Sequence, residues 1–79
     1  MKLQTIKEHS MKRYIALTEE GSCGHMHRHE GRALDCLDHF EDHGIPATVA
    51  TTTEKLHPMW IDKQISKIGM KRLKAVLEA

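Results

Sequence analysis

The apolar positions change their period from one segment of the chain to the next. In Arg13–Glu20, Ile15 and Leu17 alternate with Ala16 and Thr18, the period of a strand. Gly21-Ser22 follows, a pair suited to a two-residue turn. Cys23–His29 then returns antiparallel, with Glu20 facing Cys23, Thr18 facing His25, Leu17 facing Met26 and Ala16 facing His27. Residues 12–29 therefore read as a hairpin. Over residues 30–43 the period becomes helical, with Ala33, Cys36, Leu37 and Phe40 on one stripe. Gly44 is a natural left-handed stop, Ile45 is placed for the accompanying apolar contact, and Pro46 prevents continuation. Residues 47–53 are β-branched and short, hence a strand. Pro58 suits the first turn of a last helix running to about residue 78. Gly69 inside it costs about 1 kcal/mol, so a kink or break is expected there. Residues 1–11 fit an extra strand, a short helix or a frayed end.

The order is ββαβα in one domain, 1–79. The expected class is α+β, a small antiparallel sheet with two helices packed on one face. A chain of 79 residues buries only about 60% of its unfolded surface. A metal, a disulfide or a partner therefore matters more than in a larger protein.

Composition narrows the chemistry. Aromatic residues make up 4% of the chain, one each of Trp, Tyr and Phe, too few for a base-stacking platform. The net charge of +1 does not announce a nucleic-acid binder. Protonating all seven histidines would carry it to about +8 in mild acid. No apolar run approaches the roughly 20 residues of a membrane span, and the N-terminus lacks the apolar stretch of a signal peptide. A reduced, cytoplasmic setting is expected, with the two cysteines as thiols or metal ligands rather than a disulfide framework. There is no internal repeat and no low-complexity linker.

Both cysteines and five histidines fall within residues 22–43. Two ligand sets can be drawn. On the middle helix, Cys36 and His43 lie about 20° apart around the axis and His39 about 60° from Cys36. Cys23 or His25 from the hairpin would complete a Cys2His2 site, and the set Cys23, Cys36, His39 and His43 is the metal candidate, with zinc the candidate ion. On the return strand, His25, His27 and His29 share a face, and a His-x-His pair can grip one Zn²⁺ or Ni²⁺. The hairpin decides between the sets. If Ile15, Leu17 and Met26 face the helix, Cys23, His25 and His27 point away from it, and the combined site fails unless a bulge at Gly24 re-aims Cys23. The spacing is not that of a classical finger, since Cys23 and Cys36 are 13 positions apart. The plainer alternatives are Cys36 as a small apolar core residue and the strand histidines as a solvated or partner-binding surface.

In the last helix, Ile61, Ile65, Ile68, Leu73 and Val76 form a stripe about 140° wide, with Arg72 awkwardly inside it. Lys63, Lys67, Lys71 and Lys74 gather within about 80° on another face, nearly unneutralised. That face is either solvated or anion-binding.

No phosphate loop, dinucleotide fingerprint or nucleophile elbow is present. A Cys36–His39 or Cys36–His43 pair could imitate a thiol–imidazole couple, but a domain of this size rarely builds a deep pocket. The expectation is a non-enzymatic binding module: a small regulator or inhibitor docking on a protein partner, of the accessory type common in phages and mobile elements. Its contact residues would be His25, His27, His29 and Tyr14 with the lysine face. The alternative is a nucleic-acid-binding module, with or without zinc, using Lys63, Lys67, Lys71 and Lys74.

Overall fold

The computed structural model of the chain describes residues 11–79, so the extra N-terminal element considered above lies outside the described residues, Met11 excepted. The elements are β1 (Lys12–Thr18), β2 (Gly21–Ser22), α1 (Glu30–Asp42), β3 (Ala47–Thr53), α2 (Pro58–Ile68) and α3 (Met70–Leu77). The class is α+β and the order is the expected ββαβα, with the last helix divided in two.

The sheet runs β2-β1-β3 and is antiparallel throughout. β1 pairs with β3 along its whole length, from Lys12↔Thr53 to Thr18↔Ala47, placing Ile15 beside Ala50. Ile15, Leu17 and Ala50 meet Ile61 and Ile65 of α2 and Met70 and Leu73 of α3 in one buried cluster. Each large aliphatic side chain withdrawn there contributes about 1.5–3 kcal/mol.

The opposite face of the sheet is covered as well. Ala16 points away from Ile15 and Leu17 by the alternation of a strand, yet it is fully buried. α1 lies against β1 and β3. Its Cys36 reaches His27, and His27 is bridged to Tyr14, the residue that shares Ala16's side of the strand. Helices thus sandwich the sheet, with α2 and α3 on the aliphatic face and α1 on the other.

The hairpin differs from expectation in its turn. Leu17 pairs with Ser22 and Thr18 with Gly21, so Glu19-Glu20 forms the turn and Gly21-Ser22 belongs to β2. The cause is Thr18. Its buried hydroxyl donates to the Gly21 carbonyl at 2.7 Å and accepts the Glu20 N–H at 3.1 Å, closing the turn one step early.

α1 ends as foreseen. The Gly44 N–H donates to the Glu41 carbonyl and the Ile45 N–H to the Phe40 carbonyl, the paired bonds of a Schellman stop. α2 begins at Pro58, with His57 Nδ1 accepting the Met59 N–H at 3.0 Å. Gly69 (φ 86°, ψ 158°) occupies a backbone region that favours glycine and separates α2 from α3. The break re-phases the last two turns. Met70, Leu73 and Leu77 turn inward, while Arg72 and Val76 are exposed, so Val76 leaves the predicted apolar stripe. No helix among the described residues is long and apolar enough to cross a membrane.

Candidate metal centre

Four side chains converge between the return segment of the hairpin and the second turn of α1. Cys23 Sγ, His25 Nδ1, His27 Nε2 and Cys36 Sγ all lie within 4.8 Å of one another. Cys36 Sγ is 3.3 Å from His27 Nε2 and 3.9 Å from His25 Nδ1, and Cys23 Sγ is 3.8 Å from His27 Nε2. A zinc tetrahedron with Zn–S near 2.3 Å and Zn–N near 2.0 Å has donor–donor edges of about 3.3–3.8 Å. Three of the six gaps fall near those edges and the others stay within 4.8 Å, so one ion could sit among the four donors after a small contraction. Two thiolates and two imidazoles in a tetrahedron are a donor set suited to zinc.

Local structure explains the convergence. After Ser22 the chain leaves the regular ladder and rejoins it at His27, whose N–H and C=O both bond to Tyr14 at 2.8 Å. From Ser22 to His27 are five steps, against three from Leu17 to Tyr14. The two extra residues form a bulge. Gly24 (φ 80°) turns it, with its N–H on Ser22 Oγ at 3.1 Å. The Cys23 N–H still bonds to the Ala16 carbonyl at 2.9 Å, which fixes where that thiol begins. Cys36 comes from the stripe of α1 that carries Ala33 and Phe40, and that stripe faces the sheet.

Electrostatics favour the neutral forms of His27 and Cys36. Burial lowers the His27 pKa below the ordinary value, the neighbouring His25 and Arg32 charges lower it further, and Asp35 partly opposes them. Burial raises the Cys36 pKa, with Cys23 raising it again through its charge and a hydrogen bond, and Asp35 adding to the rise. A metal ion reverses the balance for the sulfurs, because a coordinated thiol gives up its proton. Both cysteines are free thiols. A cleft of about 250 Å³, lined by Cys23, His25, Asp35, Cys36, His39 and Phe40, opens beside them.

The observed group joins halves of the two ligand sets read from the sequence. Cys23 and Cys36 come together as drawn. His25 and His27, assigned above to an outward surface, stand beside them in place of His39 and His43. His39 borders the cleft, and its ring meets that of His43 edge-on with centroids 4.7 Å apart. The bulge and the position of α1 overturn the argument that the hairpin imidazoles point away from the helix. His29 is exposed at the N-cap of α1 and makes no capping bond, and Tyr14 is half-buried. Lys63, Lys67 and Lys71 are exposed, whereas Lys74 donates to the Val49 carbonyl and lies 3.7 Å from Glu78. Sequence reasoning did not anticipate exposed Met59 and Trp60 at the start of α2; the pair falls just after Pro58, where the first turn faces solvent.

Compared with protein-family models, with curated proteins and with solved structures, the chain matches none.

Proposed function

We propose that this domain is a non-enzymatic binding module ordered by zinc at Cys23, His25, His27 and Cys36, acting as a regulator or inhibitor of a protein on which it docks. The observation that carries the reading is the approach of those four donor atoms to within 4.8 Å of one another. Four protein ligands fill a tetrahedron and leave no position for a reacting water, the pattern of structural rather than catalytic zinc. For docking, Met59 (66% exposed) and Trp60 (41% exposed) offer the apolar and aromatic anchor types enriched in protein interfaces.

The test begins with metal analysis of protein purified without added metal. One zinc per chain and a lower Tm after chelation support the reading; a metal-free chain whose melt ignores chelator refutes the zinc. Affinity capture from an extract, with nuclease present, then compares the wild type with a Met59→Ala/Trp60→Ala variant. A salt-resistant partner lost in the variant supports docking. A second reading, nucleic-acid binding, draws on the exposed Lys63, Lys67, Lys71 and Arg72. It predicts affinity that falls steeply with salt and capture that nuclease abolishes.

A further inference from the structure

We infer that Cys23 and Cys36 are a reversible oxidation site, and that forming a disulfide between them expels the metal. The inference rests on the zinc reading and adds the regulation of that same centre. Three observations carry it. The two sulfurs lie within 4.8 Å of each other, the only cysteines of the chain, so neither has a competing thiol partner in the molecule. Both line the open cleft beside α1, so a small neutral oxidant reaches them without unfolding the domain. Cys23 sits on the two-residue bulge beside the positive-φ Gly24, between the paired Ser22 and the bridge at His27. Closing to the roughly 2.05 Å of a disulfide bond requires a movement of about 2–3 Å, within the reach of one side-chain rotation and a small shift of that loop.

The oxidant is a peroxide. One cysteine thiolate attacks the peroxide oxygen, the O–O bond breaks, and hydroxide leaves to take a proton and become water. The sulfur is now a sulfenic acid. The second thiolate attacks that sulfur, the S–S bond forms, and the S–O bond breaks to release a second hydroxide, protonated in turn. Two sulfurs have lost two electrons to the peroxide. An ion held by the four donors would lose two of them and be left with His25 and His27. A dithiol reverses the oxidation by exchange through a mixed disulfide.

The test uses the full chain loaded with one zinc. Hydrogen peroxide is added, free zinc is followed with a colorimetric chelator, and the chain is weighed intact and after digestion without reductant. The expected result is full zinc release in step with a Cys23–Cys36 cross-linked peptide, and recovery of zinc binding when dithiothreitol and zinc are restored. Cys23→Ser and Cys36→Ser variants should give no intramolecular cross-link. A chain that takes up zinc but shows only sulfinic or sulfonic acid, or cross-links between chains, overturns the switch and leaves the metal reading standing. A chain that takes up no zinc overturns the metal reading, and with it metal expulsion.

Discussion

The two faces of the sheet are held by different means. On one, Ile15 and Leu17 meet Ile61, Ile65, Met70 and Leu73 from two helices, a close-packed aliphatic layer. On the other, thirteen residues of α1 bury one side chain fully, that of Ala33, over the small Ala16. Leu34 of that helix is 44% exposed. Beyond Ala33, the large apolar side chains of α1 that are withdrawn from solvent are the half-buried Leu37 and Phe40. The helix also has Cys36 facing Cys23, His25 and His27. The difference teaches that a small domain can split its stability: one face folds on hydrophobic burial, and the other carries a Cys/His group that could hold a metal ion.

The largest effect should come from the aliphatic side. Leu17→Ala should cost about 2–5 kcal/mol. Leu17 lies on the face away from α1, and although Cys23 packs against its cluster, that loss should change by less than about 1 kcal/mol between zinc and chelator. Denaturant melts in both conditions check this, and a strong dependence on zinc would merge the two faces into one unit. Next comes metal removal. Chelation should accelerate amide exchange in Cys23–His29 and α1 while β1, β3, α2 and α3 keep most of their protection. Uniform acceleration, read by mass spectrometry, would break the comparison. Acid should act on the same side. His27 titrates below the ordinary imidazole value near 6.5, so the unfolded chain takes up its proton first. The stability this residue contributes is present above about pH 6.5 and is lost as pH falls toward the lowered value. Melts of the metal-free chain between about pH 7.5 and 5.5 should show a decline that His27→Gln flattens. The smallest effect is back in the aliphatic layer. Thr52 Oγ1 is buried without a hydrogen-bond partner among the described residues. Thr52→Val should therefore raise stability by up to about 1 kcal/mol in a denaturant melt.

What the sequence made legible was local. β3 is set by β-branched residues, α1 is stopped by Gly44, and α2 is started by Pro58; each depends on neighbours a few positions away. What it hid was tertiary. The Gly21-Ser22 turn lost to Glu19-Glu20 because a buried Thr18 hydroxyl bonds across the turn. The Cys23, His25, His27 and Cys36 group is divided between two ligand sets in the sequence because its geometry depends on which face α1 covers. A clue lay in Tyr14-Ile15-Ala16-Leu17, which is apolar on both sides of the strand. A strand of that kind is buried on both faces. The re-phasing at Gly69 was visible as a breaking point but not in its direction, so Val76 was assigned inward and Arg72 looked misplaced.

The hairpin turn carries two bonds that reach far along the chain. The Ser22 N–H donates to Asp62 Oδ1 at 2.7 Å, and the Met70 N–H donates to Glu19 Oε1 at 3.0 Å, separations of 40 and 51 residues. Neither tie can form until Asp62 and Met70 have been synthesised. The hairpin therefore waits on two helices whose contacting residues follow it by 40 and 51 positions, which favours late, concerted assembly.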